Sequence, residues 1–499
     1  MVKSICVVGR DADAWITARV LQRFLGENSL LTVQIVELPS EVGPQDVYPS
    51  IPSVRGLHKL LGLSESDLIA NLGVANSIGN RFSGWSSDGD YYQVFDTHGL
   101  PIKDIDFVQY WIRGRKKGLQ VPYHEFSLAV AAAKRNKFVL LNEQASAFSH
   151  ASYSFNIPAL AYLKRIASDT IASGVKRYEG PIAKVEVEAG AIRHILLEDG
   201  QTVTADLFVD ACGPAGELIS KLGGDAYESL QDRFPLTASV HALADKITPI
   251  PSCNHCLANE RGWLGVYPLA DKTALRFNYN PQQSVPDQVA KTLQGLCAMP
   301  MREGVVKNKV AGRRRSPWLK NCVAVGGSAA CLDDVNGVEL HVLHLTLSYL
   351  MALFPVADSY TAEQKKYIEK VNSHIDRIVD FQQAHYLLNG RDNDTLWHSF
   401  KSLSPSAHLQ QKLNLFQARG ALCMYEDETF QEEDWYALLC GNGLLPQSYD
   451  LQVNNLDEQE QIKEFQKMLS FVAREAEQMP DLSVHLGLEN NDNYTGAMF

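Results

Sequence analysis

Ser4-Ile5-Cys6-Val7-Val8-Gly9-Arg10-Asp11-Ala12-Asp13-Ala14-Trp15, answered by Val33-Gln34-Ile35-Val36-Glu37, is the stretch on which the reading of this chain turns. The first apolar run reads as a buried strand. Trp15 to Gly26 carries apolar side chains at helical spacing (Trp15, Ala18, Leu21, Leu25), and the second run reads as a strand closed by an acid. Strand, turn, helix, strand and acid make the plan of a dinucleotide-binding unit. The G-x-G-x-x-G/A pattern survives at Gly9 and Ala14, but Asp11 holds the middle place. That place normally has no side chain, so that backbone N–H groups can approach a diphosphate. A carboxylate there adds bulk and like charge. Two unit charges 4 Å apart repel by about 4 kcal/mol at an effective dielectric of 20. Half of that weakens binding more than tenfold. Asp13 adds to the effect at longer range, and Arg10 offsets part of it if it folds over the phosphates. Glu37 stands about 20 residues beyond the turn, the place of a ribose-binding acid.

The chain has 499 residues, 45% hydrophobic and 21% charged, with a net charge of −12. This suits a multi-domain globular protein and argues against a nucleic-acid partner, which needs clustered Lys and Arg. The most apolar long segment, 342–355, is shorter than the about 20 residues of a membrane span and is broken by His344, Thr346 and Ser348. The start runs directly into an apolar strand, so no secretory signal is expected. The nine cysteines, mostly single and in apolar strands, read as reduced thiols and favour a cytoplasmic location. Cys253-Asn254-His255-Cys256 has no second ligand pair and reads as a loop with two free thiols, so no metal is expected.

Further along, residues 43–62 are predicted to begin as an irregular loop, set by the prolines at 44, 49 and 52, and to end in a short helix. A helix is predicted over 157–173. A hairpin follows through Ile182–Val187 and Ile192–Leu197, then a buried strand, Leu207-Phe208-Val209-Asp210-Ala211. Alternation over 234–279 marks a second sheet containing Gly262-Trp263-Leu264-Gly265, with Trp263 and Gly265 as candidate walls of a substrate cavity. Asn321 to Gly326 makes another buried strand and opens into a glycine loop before a helix, an anion-binding arrangement that includes Gly326, Gly337 and Val338. The rest is mostly helical, with a polar tail over 488–499 expected to be loose. His341 reads as a packed helix residue.

Taken in order, Gly9…Trp15, Pro52-Ser53, Gly79-Asn80-Arg81-Phe82, Phe107…Trp111, Ser154-Phe155-Asn156, Phe208…Gly213, Gly262-Trp263, Gly312…Gly326 and Trp435…Gly441-Asn442-Gly443…Pro446…Tyr449 resemble the flavin-dependent tryptophan halogenases, within the FAD monooxygenase superfamily. The resemblance implies an α/β fold: a Rossmann-type dinucleotide-binding sheet, a second sheet and a mostly helical C-terminal part. The expected division is a discontinuous FAD-binding domain over 1–105, 150–225 and 310–355, a substrate-side sheet over 106–149 and 226–309, and a helical region over 356–499. It implies FAD as cofactor, a separate flavin reductase, a small aromatic substrate such as an indole, and a homodimer. FAD would lie along Gly9, Asp11, Ala14, Glu37, Ile182, Gly326, Gly337 and Val338.

In this family reduced FAD and oxygen convert halide to hypohalous acid, which a lysine, helped by a glutamate, delivers to the aromatic ring. The lysine belongs where Ser77 stands, before Gly79-Asn80-Arg81-Phe82, and the glutamate where Asn336 stands. A hydroxyl forms no haloamine and carries no cation. An amide takes up no proton from the ring. The glycines of a flavin strap are absent from Gln45-Asp46-Val47-Tyr48, and the second tryptophan of Gly-Trp-x-Trp is lost at Gly265. The expectation is an FAD oxidoreductase scaffold, with FAD held weakly or lost, that does not chlorinate tryptophan by the lysine route. The alternatives are a pseudoenzyme serving as a binding or regulatory subunit, and a flavoprotein that oxidatively modifies a partner polypeptide.

Overall fold

A computed structural model describes residues 2–25, 31–138, 151–223, 227–297, 299–357 and 359–488. The chain divides into two units. The first takes 1–73, 157–237 and 309–376, and the second takes 74–156, 238–308 and 377–499. Residues 74–105, expected with the nucleotide-binding part, belong to the second unit. Their strand Gly79–Ser83 pairs in parallel with Asn254–Asn259, and backbone pairing decides membership.

In the first unit β1 (Ser4–Gly9), α1 (Asp11–Leu25) and β2 (Thr32–Glu37) form as expected. They seed a six-stranded sheet, ordered Trp318–Leu319, Cys322–Ala324, Leu207–Ala211, β1, β2, Lys176–Glu179. All its pairs are parallel except the first. A parallel sheet is covered on both faces and therefore reads as near-continuous apolar runs. Cys6, Val8, Val36, Phe208, Cys212, Cys322 and Ala324 share one buried cluster with the hairpin residues Ile192, Ile195 and Leu197. Gly9 is required by the pairing, since a β-carbon there would stand 2.1 Å from the Ala211 carbonyl oxygen.

Two local expectations give way to backbone chemistry. The helix expected from Ile157 begins at Ala159, behind the strand Ser154–Pro158. Pro158 restricts the residue before it to extended backbone. Within the proline-rich 43–52, Val47–Pro49 forms a short strand, with its proline at the end where no further ladder donor is needed.

The second unit holds a seven-stranded sheet, ordered Val305–Asn308, Ala238–Ala244, Thr273–Tyr279, Gly262–Pro268, Asn254–Asn259, Gly79–Ser83, Tyr91–Val94. Cys256 therefore lies in a strand, opposite Gly265, and not in the loop expected for it. The helices Ala407–Arg419, Glu432–Gly441 and Glu458–Gln478 belong to this unit. The tail beyond 488 lies outside the described residues. Among the described residues no helix is long and apolar enough to cross a membrane.

The parallel strands meet the glycine loop through Asp210, which is fully buried at the end of its strand. Its Oδ1 accepts from the Cys212 N–H at 3.0 Å and the Ser328 hydroxyl at 2.9 Å, and its Oδ2 accepts from the Leu218 and Ile219 N–H groups at 2.9 Å each. Asp210→Ala orphans four donors at once and is expected to cost on the order of 3 kcal/mol or more, read as a lowered urea midpoint at pH 7. A midpoint within experimental error of the parent would show that these bonds do not hold the unit together.

Candidate functional site

The candidate site of the first unit is the turn between β1 and α1. Gly9, Asp11, Ala14 and Glu37 lie on these elements, and the Gly326–Ser328 loop comes against them. Asp11 begins α1 with φ 55°, a left-handed backbone that aspartate adopts more readily than most residues. Its carboxylate accepts the Ser40 hydroxyl and, at 3.0 Å, the Glu41 N–H, so it braces the loop that follows β2. Ala14 is fully buried. Glu37 accepts the Trp15 indole N–H at 3.0 Å and the Arg177 guanidinium at 2.7 Å, so the chain already occupies both oxygens of the expected ribose acid. Arg10 does not stand free to cover phosphates. It donates to the Cys212 carbonyl at 3.2 Å and pairs with Glu217 at 2.8 Å and Glu41 at 3.3 Å.

Sequence reasoning gave Asp13 only a distant role, yet Asp13 makes the central contact. Its Oδ2 accepts the Gly327 N–H at 2.7 Å. Gly326 has φ +53°, and a β-carbon built there would lie 2.4 Å from the same carboxylate. Burial raises the Asp13 pKa to about 7, and the charge of Glu339 and, to a smaller extent, of Asp11 pushes the same way against the bond from Gly327. Tyr48 beside them is held well above the ordinary phenol value, by burial first and then by Glu339, Asp13, Asp11 and Asp46. Acids from α1 and from the start of the helix Glu339–Ala352 thus converge at the Gly327 amide.

The other expected positions are distributed as follows. Gly337 takes φ +64°, a β-carbon there would stand 2.8 Å from the Pro49 carbonyl, and Val338 precedes the helix Glu339–Ala352. Asn336 is buried in a left-handed turn, φ 75°, beside Asp334, whose carboxylate pairs with Lys309 at 2.5 Å. It lies two residues before the helix cap and so does not cap it. Ile182 starts the hairpin and packs against the buried cluster of the first sheet. His341 is a packed helix residue: its Nδ1 lies 2.8 Å from the Ser53 hydroxyl, and burial lowers its pKa to about 3, which keeps the ring neutral.

In the second unit Ser77 is buried, and its hydroxyl donates to the Gly79 carbonyl at 3.0 Å. Trp263 is fully buried and donates its indole N–H to the Tyr386 hydroxyl at 3.0 Å, while the space beside Gly265 is taken by the Tyr267 ring. Among the described residues no group of three or more His, Cys, Asp or Glu is placed to hold a metal ion.

The chain as a whole has known relatives. The family model described as tryptophan halogenase matches residues 4–458. The chain belongs to the tryptophan halogenase family. It is 23% identical over 440 residues to the 7-chloro-L-tryptophan 6-halogenase KtzR of Kutzneria sp. (strain 744), covering 83% of this chain and 84% of that protein. Among solved structures it is similar to BrvH, a flavin-dependent halogenase from Brevundimonas sp. BAL3, with a TM-score of 0.91 and 26% identity over 98% of this chain and 99% of the other. It is also similar to Xcc4156, a flavin-dependent halogenase from Xanthomonas campestris, with a TM-score of 0.91 and 22% identity over 98% of each chain.

The family implies FAD, and the first turn is where its diphosphate would be cradled. The residues present do not fit that group as they stand. The Gly327 amide already has a carboxylate on it, Glu339 and Asp11 add negative charge, and Arg10 is neutralised by two glutamates.

Asp13 also leaves a mark on stability. A raised carboxyl pKa stabilises the fold fully below the ordinary value near 3.8, and that contribution is lost as pH rises through about 7. The side chain is only half-buried, so water screens part of the effect. Asp13→Asn should therefore melt near the parent at pH 4 and at least about 2 °C above it at pH 8. A gap that does not widen between those values would remove Asp13 as the titrating group.

Proposed function

We propose that this chain is a halogenase-family protein that does not chlorinate tryptophan by way of a lysine and a glutamate. What supports the reading is Ser77. It stands where the family lysine belongs, it is buried, and its hydroxyl is engaged by the Gly79 carbonyl. It has no charge with which to hold hypohalous acid and no amine to chlorinate. Asn336 compounds the loss, because a carboxamide does not accept the proton that leaves a halogenated ring. An indole-type substrate and a flavin reductase would be the small-molecule and protein partners of any oxidative activity that the scaffold keeps. FAD, when bound, supplies the oxidising power, and neither Ser77 nor Asn336 has an amine to carry the halogen.

A second reading is favoured by the carboxylate on the Gly327 amide. In it the chain is a non-catalytic binding or regulatory subunit that keeps the halogenase fold without a tightly held cofactor. Oxidative modification of a partner polypeptide has no comparable structural support.

Purified protein supplied with reduced FAD, oxygen, chloride and tryptophan should give no chlorotryptophan by mass spectrometry. Chlorotryptophan that disappears when a single lysine is changed would refute the first reading. Flavin absorbance retained through gel filtration would refute the second.

A further inference from the structure

We propose that the Asp13 carboxylate is a built-in stopper of the diphosphate seat. Ionised, it holds the Gly327 N–H and closes the loop to a second anion, so a dinucleotide binds there only after Asp13 has taken up a proton. The inference rests on the reading that the first unit keeps the family's nucleotide-binding fold, and it goes beyond that reading by naming what controls the seat.

Three observations carry it. The first is the bond itself, 2.7 Å from an amide that opens a glycine loop to an oxygen borne 314 residues away in sequence. Bare loop amides of this kind attract anions, and here the protein supplies its own. The second is space. The carboxylate lies where a β-carbon on Gly326 would be, so Asp13 is packed into the hollow that the two glycines leave. The third is the surrounding charge. Asp13 faces Asp11 from its own helix, Glu339 from the start of the helix Glu339–Ala352, Tyr48 from the strand Val47–Pro49 and Cys331 from the strand Ala330–Cys331. None of these is a cation. A diphosphate entering beside an ionised Asp13 would lose the amide and meet further carboxylates, whereas a neutral Asp13 yields the amide at lower cost. With its pKa raised to about 7, the carboxyl changes state within the ordinary working range of a protein.

The consequence is a proton-linked affinity confined to ligands that carry the diphosphate. Titration calorimetry of the full-length protein with ADP and with FAD, from pH 6 to pH 8.5, should show affinity falling by up to tenfold for each pH unit above about 7. Asp13→Ala should bind both ligands more tightly than the parent at pH 8, at least tenfold, and with a flat profile. Asp13→Asn should also be flat. Glu339→Gln should keep the slope but start it at lower pH, because Glu339 is one of the groups that raise the Asp13 pKa. Riboflavin, which carries no phosphate, should gain nothing from Asp13→Ala.

A parent affinity that is flat across the range would overturn the proposal, and that measurement needs no variant. So would an Asp13→Ala protein, melting as cooperatively as the parent, that binds ADP no more tightly at pH 8. An equal gain for riboflavin would overturn the assignment to the diphosphate. None of these outcomes bears on Ser77 or on chlorotryptophan, so failure here is distinguishable from failure of the proposed function.

Discussion

One buried carboxylate organises the first unit. Asp210 ends a central parallel strand with four donors on its two oxygens. The strand end, the turn through Leu218 and Ile219, and the loop at Ser328 are therefore fixed relative to one another. A buried charge is tolerated only where hydrogen bonds replace its water, and here they come from three separate segments. Arg314 reinforces the same junction, donating to the Ser328 carbonyl at 2.7 Å and to the Pro214 carbonyl at 3.1 Å. The position of the Gly326-Gly327 loop is thus set by the scaffold and does not depend on what occupies it.

That fixed loop explains how acids came to be tolerated in front of it. A preformed amide with no partner is a liability when buried, since an unmet donor costs about 1–3 kcal/mol. Here Asp13 satisfies it. The neighbouring acid, Asp11, likewise finds donors at Ser40 and Glu41 in place of an external ligand. Both acids thus make their contacts within the chain.

The parallel core was legible because buried strands announce themselves as apolar runs, and β1, α1, β2 and the strand Leu207–Ala211 fall where the runs predict. Other features were not. Asp13 and Gly327 are separated by most of the chain, and no local pattern says that one will bond the other. Asp11 was expected to point at phosphates, yet its left-handed backbone directs it to the next loop. Trp263 could be placed in a strand, but its partner Tyr386 comes from a distant helix. Periodicity reports which face of an element is buried and is silent about which side chain it will meet there.

The Cys253 and Cys256 pair gives the second unit a further property. Both thiols are free and buried, the second within a strand of the seven-stranded sheet. Burial pushes the Cys253 thiol up to about 12 and that of Cys256 higher still. Since the thiolate is the reacting species, neither is available to an electrophile while the strands remain paired. Their rate of alkylation is then a clock for the opening of this sheet, and a chain that reacts quickly at this pair has already begun to come apart there.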